Sequence, residues 1–160
     1  LPGHKDPLEL EDYPLRMLMG HARHSIHSTW RDDTLLWSLQ RGEPDIYVNP
    51  NDAKDRGVAD GDLIKIFNTM GSFIAVAHIS SSMQKDTMFM YHGWDPTMFR
   101  NQKNFSSVIP TAGLIRPTLL AGGADTHLGY APIKSFPNMT LSDCTCDFEL
   151  HTESNEQKTA

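Results

Sequence analysis

Ala59-Asp60-Gly61-Asp62-Leu63-Ile64-Lys65-Ile66-Phe67-Asn68-Thr69-Met70-Gly71-Ser72-Phe73-Ile74-Ala75-Val76-Ala77-His78-Ile79 decides the architecture. A turn signal over residues 59–62 leads into the β-rich stretch 63–68, and residues 72–79 then alternate, with Phe73, Ala75, Ala77 and Ile79 on one face. Joined by the turn at 68–71, the two runs predict a hairpin that buries one side. Working outward, residues 45–49 and 88–91 read as further short strands, and residues 14–20 as an apolar strand ending at Gly20. Two short helices separate them. One starts at the Asp32-Asp33 N-cap, presents Leu35, Leu36 and Leu39, and stops at Gly42. The other starts at Asn49, has Pro50 at its first position and Asp52 near the capping-box place, and stops at Gly57. Many short strands with glycine-marked turns and two small helices predict a mainly β protein closed into a small barrel.

The 160 residues fit one compact domain with a full core. We expect a leading segment over 1–13, the domain over 14–150, and a disordered tail over 151–160, which is polar and aperiodic. Residues 94–141 loosen into Pro, Gly, Asn, Ser and Thr, too long a connection to be idle in a compact domain. Fourteen Lys and Arg against 20 Asp and Glu leave a net charge of −6, which argues against nucleic acid or an anionic membrane as the main partner. No apolar run approaches the roughly 20 residues of a membrane span, and no signal-peptide pattern opens the chain. Cys144 and Cys146 are too close in sequence for an easy disulfide and too few for an iron–sulfur cluster, so they read as incidental thiols.

The chemistry concentrates after Gly20. His21-Ala22-Arg23-His24-Ser25-Ile26-His27-Ser28-Thr29 follows the apolar run directly. Gly20 lets backbone N–H groups approach a ligand, Arg23 offers a fork of donors, and Ser25, Ser28 and Thr29 offer hydroxyls suited to phosphate oxygens. A plain polar surface loop has the same composition. His21, His24 and His27 also recur every three residues, a spacing that sets metal ligands on one helical face, but Ser25, Thr29 and the preceding β-like run fit a helix poorly, and no metal ligand is assigned. Trp30 and Trp37 read as core or cover beside a leucine-rich helix. Asp33, Asp60 and Asp62 read as cap and turn residues.

The ordered series His27-Ser28, Arg41-Gly42-Glu43-Pro44, Val48-Asn49-Pro50, Asp52-Ala53, Arg56-Gly57-Val58, Asp60-Gly61-Asp62, Asn68 with Gly71, and Tyr91-His92-Gly93 resembles one known pattern. It looks like the C-terminal molybdopterin-dinucleotide-binding domain of the dimethyl sulfoxide reductase family of molybdenum enzymes, collinear over about residues 13–150. Tyr91-His92, Arg116-Pro117-Thr118 and the stretch from Gly122-Gly123 to Gly129-Tyr130 look most like the nitrate, selenate and chlorate reductase and ethylbenzene or dimethylsulfide dehydrogenase subgroup.

The resemblance implies a six-stranded double-psi β-barrel with long loops, covering a bis-molybdopterin guanine dinucleotide cofactor with molybdenum or tungsten. It implies cofactor contacts from Gly20, His21, Ala22, Arg23, His24, His27, Ser28, Thr29, Asn68, Tyr91, His92, Arg116 and Thr118. For several of these a plainer role stands beside the contact. Asn68 reads first as a turn residue, His27 as a turn cap, Tyr91 and His92 as barrel-rim packing, and Arg116 as a solvated loop cation. The resemblance further implies a chain that is part of a larger catalytic subunit, with a 4Fe-4S cluster in its upstream remainder. The expected partners are that remainder, an iron–sulfur electron-transfer subunit and a haem or membrane-anchor subunit, at a bacterial or archaeal membrane face with the periplasmic side favoured. No residue here matches the family's metal ligand, and Cys144-Thr145-Cys146 does not resemble its cluster cysteines. The alternative of another class is a free-standing double-psi barrel acting as an adaptor, which needs an exposed apolar patch rather than a phosphate loop.

Overall fold

The computed structural model describes residues 13–39, 42–69, 71–109 and 143–152. Six strands account for the barrel: β1 (Leu15–Gly20), β2 (Asp45–Val48), β3 (Leu63–Asn68), β4 (Gly71–Ile79), β5 (Thr87–Tyr91) and β6 (Asp143–Leu150). Helix α1 (Thr34–Ser38) lies between β1 and β2, α2 (Pro50–Asp55) between β2 and β3, and two single 3-10 turns (Pro96–Met98 and Phe105–Val108) follow β5. The strands close in the order β1-β5-β2-β4-β3-β6. β1 runs parallel to β5 and β2 parallel to β4, while the other four joints are antiparallel. Exchanging β1, β2 and β3 for β4, β5 and β6 maps every joint either onto itself or onto another of the same sense. The connectivity is thus two equivalent three-strand halves crossed through each other, in agreement with the expected double-psi barrel.

The hairpin forms as its sequence demands: Ile64 and Ile66 of β3 and Phe73, Ala75 and Ala77 of β4 are buried together. From the other strands Leu15, Met17, Ile46, Val48, Met88 and Met90 point inward, so the interior alternates with the pleat on every strand. Three methionines in one wall let unbranched side chains fill the irregular space inside a small barrel. The local reading assigned no residues to the sixth strand, β6. It alternates Cys144, Cys146, Phe148 inward against Thr145, Asp147, Glu149 outward, and its cysteines serve as small apolar core residues. Arg56, just past α2, donates from Nε and Nη2 to Asp147 Oδ1 at 2.8 Å and lies over the Phe148 ring, fastening β6 to the α2 end of the barrel.

The caps follow the sequence closely. Asp33 accepts from the Leu35 and Leu36 amides. Asn49 accepts from the Asn51 amide and donates to the Met83 carbonyl, while buried Asp52 accepts the Asp86 amide, which ties α2 to the turn before β5. In the turn before β3, Asp62 accepts the Ala59 amide, while Asp60 accepts the Ile79 amide at the end of β4.

Two expectations fail. The apolar face of α1 is not core: Leu35 is 70 % and Leu39 58 % exposed, because the five-residue helix packs inward only through Trp37. Trp30 is 50 % exposed rather than core or cover. A left-handed backbone at Trp30 (φ 64°) turns its ring outward, and the next residue, Arg31, takes the buried place. At the C-terminal end, His151 still donates its amide to the Leu63 carbonyl, and the expected tail over 153–160 lies outside the described residues. No helix among the described residues is long and apolar enough to cross a membrane.

Candidate functional site

The parallel pairing of β1 with β5 builds the site. Gly20 and Tyr91 are the last paired residues, so the next residue on each strand, His21 and His92, emerge side by side with ring centroids 4.4 Å apart. The His92 amide continues the ladder to the Gly20 carbonyl at 3.0 Å. The loop after β1 then folds back through turns and delivers His27, whose ring stacks on His92 at 5.0 Å and meets His21 edge-on at 4.9 Å. Three imidazoles, two from the loop after β1 and one from the end of β5, therefore share one small patch.

Backbone strain fixes that patch. His27 sits in the left-handed region (φ 52°), a conformation that costs an L residue roughly 1–2 kcal/mol. Gly93 (φ 93°) lies so close to His27 that a Cβ on it would collide with the His27 carbonyl. Residues held in such conformations cluster at functional sites. Behind the rings, buried Arg31 donates from Nη2 to the His92 carbonyl at 2.9 Å and stacks 3.8 Å over Trp94. Burial lowers the Arg31 pKa and the nearby Asp45 carboxylate opposes that shift; the guanidinium stays charged. Burial, followed by the neighbouring His21, His27 and Arg31, lowers the His92 pKa, so its imidazole favours the neutral form that can both donate and accept.

The remaining candidates divide. Arg23, His24, Ser28 and Thr29 are exposed on the same loop, available to an anion, and Gly20 and Ala22 are half-buried beside them. Asn68 takes the plainer of its two roles: its Nδ2 donates to the Val108 carbonyl at 2.7 Å and the Thr145 carbonyl at 3.0 Å, bracing the barrel rim. Tyr91 takes the packing role as well, its ring set edge-on against Phe89 and Tyr47 on the barrel flank. Arg116 and Thr118 lie outside the described residues. The three-residue histidine spacing does not act through a helix: residues 21–29 form turns, and His24 stays out of the cluster while His92 joins it. Arg31, Gly93 and Trp94 were missed as site residues. In the sequence Arg31 stands only as a cation just past the loop, and Gly93 only as the end of Tyr91-His92-Gly93.

Residues 15–114 match the family model described as the molydopterin dinucleotide binding domain. The chain belongs to that family. Among curated relatives of this molybdopterin-dinucleotide-binding domain, the respiratory nitrate reductase subunit alpha of Haloferax mediterranei is 38% identical over 92% of the chain, and the dimethylsulfide dehydrogenase subunit alpha of Rhodovulum sulfidophilum 36% identical over 88%. The chlorate reductase subunit alpha of Ideonella dechloratans is 33% identical over 86%. The domain spans 15% of the length of each of these three relatives. Acetylene hydratase from Pelobacter acetylenicus shares the fold, with a TM-score of 0.55 at 20% identity, over 68% of this chain and 18% of that one.

The residues of the domain fit such a group. A pterin is a planar, polar heterocycle, and a dinucleotide carries a pyrophosphate. Three imidazoles offer edge and face contacts, and the exposed Arg23, His24, Ser28 and Thr29 offer charge-assisted and hydroxyl donors. Buried Trp94 Nε1 finds no acceptor among the described residues, a donor available close behind the Arg31 and His92 wall.

Proposed function

We propose that this domain holds a bis-molybdopterin guanine dinucleotide in the catalytic subunit of a molybdenum or tungsten oxidoreductase of the nitrate and chlorate reductase and dimethylsulfide dehydrogenase type. The observation that carries the reading is the convergence of His21, His27 and His92 where β1 and β5 end together. In this reading the three rings grip a pterin edge, and Arg23 with His24, Ser28 and Thr29 takes the phosphates. Arg31, anchored on the His92 carbonyl, sets the position of that ring and adds positive charge behind it. When bound, the cofactor supplies two-electron redox chemistry at its metal, of the oxygen-atom-transfer or hydroxylation class. The domain orients and electrostatically tunes it.

The remainder of the catalytic subunit, with a 4Fe-4S cluster, is the partner this reading requires, together with an iron–sulfur electron-transfer subunit and a haem or membrane-anchor subunit on the periplasmic face. The names of the relatives support the subunit context, each being a subunit alpha. The adaptor alternative draws on the exposed Ile26, Trp30, Leu35 and Leu39, yet an adaptor has no use for a strained histidine cluster, and a cofactor domain packed on its own subunit accounts for both. The test is molybdenum and guanine-nucleotide content of the intact enzyme carrying Arg23→Ala or His92→Ala. Both contents are expected to fall together relative to protein. Unchanged content in both variants overturns the reading.

A further inference from the structure

Four of the five exposed large apolar side chains among the described residues, Ile26, Trp30, Leu35 and Leu39, stand on one run of turns that ends in α1, and each is half or more exposed. Single apolar residues on a surface are ordinary, but a group of them marks a binding face. The run is braced from within. The Ile26, Ser28 and Trp30 carbonyls accept the Thr29, Arg31 and Asp33 amides in turn, and the Leu39 amide donates to the Leu35 carbonyl, which sets those two leucines one helical turn apart. It is also rooted in the barrel at two points between the displayed residues: Arg31 is buried on the His92 carbonyl and the Trp94 ring, and Trp37 packs against the core. Trp30 is the most telling member, since a bulky residue with a left-handed backbone is an outlier, and here that backbone turns an aromatic ring into water. A large ring displayed rigidly between rooted neighbours has the form of an interface anchor.

We propose that the segment 26–39 is the face by which this domain docks on the remainder of its own catalytic subunit, with Trp30 and Leu35 seated in an apolar depression there. The proposal rests on the reading that the domain is one part of a larger subunit. Three observations select this occupant. The domain spans 15% of the length of each of the three relatives, so the far larger part of such a chain lies outside it. The face is continuous with the cofactor wall: it overlaps the loop that carries His27, Ser28 and Thr29, and Arg31 ties it to the His92 carbonyl, so the polypeptide that closes the other side of the cofactor lies against it. Its charge is one-sided as well. Residues 32–39 hold the exposed Asp32 and Asp33 and no Lys or Arg, which calls for an apolar surface with cationic or amide donors at its rim.

The test uses the intact enzyme with the photo-crosslinking residue p-benzoylphenylalanine in place of Leu35 or Leu39. After irradiation, peptide mass spectrometry is expected to join each position to the same polypeptide outside these 160 residues, with the catalytic subunit keeping its own mobility on a denaturing gel. Trp30→Ala and Leu35→Asp should leave the urea midpoint of the 160-residue chain unchanged, because both side chains are exposed on the domain itself. In the intact enzyme each should speed proteolytic release of the domain, by roughly 30-fold for loss of a central anchor. Links to a different subunit or to a second copy overturn the proposal, as does the absence of any link beyond the 160 residues. Release at the wild-type rate in both variants overturns it too, and so does a lowered midpoint of the isolated chain, which would place these side chains in the domain's own packing. Failure of the cofactor reading is told apart by composition: unchanged molybdenum and guanine-nucleotide content in Arg23→Ala and His92→Ala removes that reading while the links at 35 and 39 stand.

Discussion

Replacing Gly93 by alanine should break the site and weaken the barrel, for reasons that can be separated. The first is conformational: at φ 93° an L residue pays for a left-handed backbone, roughly 1–2 kcal/mol. The second is steric, since the new methyl collides with the His27 carbonyl, which is backbone and cannot swing aside. Overpacking of this kind typically costs about 1–3 kcal/mol. Together they predict a loss of roughly 2–5 kcal/mol, or about 1–2.5 M in urea midpoint for a slope near 2 kcal/mol per molar. Gly20→Ala is the control. Its φ is not left-handed, and its methyl would meet the far end of the Phe89 ring, Cζ at 2.8 Å and Cε2 at 3.0 Å, which can rotate away. That change should cost less than about 1.5 kcal/mol. Because Gly93 adjoins His92 and presses on His27, Gly93→Ala should also shift the histidine ring signals seen by NMR. A Gly93→Ala loss no larger than that of Gly20→Ala would refute the close seating on which the cluster depends.

The same strain predicts that His27→Gly is more stable than His27→Ala by about 1 kcal/mol in urea unfolding, since only glycine accepts φ 52° freely, while both lose the imidazole; equal stabilities would show His27 to be unstrained. For His92 the folded pKa lies below the ordinary 6.5, first through burial and then through His21, His27 and Arg31. Between those two values the unfolded chain binds more protons, so stability falls as pH drops below about 6.5 and levels off above it. Urea midpoints of the chain from about pH 7.5 to pH 5 should show this slope, and His92→Gln should flatten it; parallel slopes would remove His92 as the cause. Arg56→Ala should cost about 2 kcal/mol by removing the Asp147 contacts and the cover over Phe148, and Arg56→Lys should not restore it, because an ammonium has no fork; full rescue by lysine would argue against this. The Cys146 thiol is held protonated by its contact with Cys144, 3.6 Å away, and by burial. Cys146 should therefore resist thiol reagents in the native chain and react on unfolding. Native labelling at the unfolded rate would contradict its place in the core.

What could be read from the sequence follows from how local each signal is. The hairpin, the two capped helices and the strand before Gly20 are written in neighbouring residues: alternation at Phe73, Ala75 and Ala77, the Asn49-Pro50 start, and the Asp60-Gly61-Asp62 turn. Strand β6 was equally local, but its inward face is two cysteines and a phenylalanine, and the cysteines were weighed as thiols when they behave as small hydrophobes. The two-fold relation of the strand pairings left no mark in the sequence, because pairing symmetry constrains the order of strands and not the residues on them. The site was legible in part for the same reason. Gly20 and the loop residues could be found as a stretch, but the cluster is made by register: β1 and β5, parallel and distant in sequence, end at the same level and set His21 beside His92. A three-residue periodicity grouped His21, His24 and His27, whereas the left-handed turn at His27 and the bare Cα of Gly93 grouped His21, His27 and His92. Asn68 and Tyr91 are read on the same logic. Each ends a strand, as a site residue should, but carbonyls claim the amide of one and aromatic rings the face of the other. In this barrel a strand end becomes a site only where two parallel strands stop together and a strained loop closes over them.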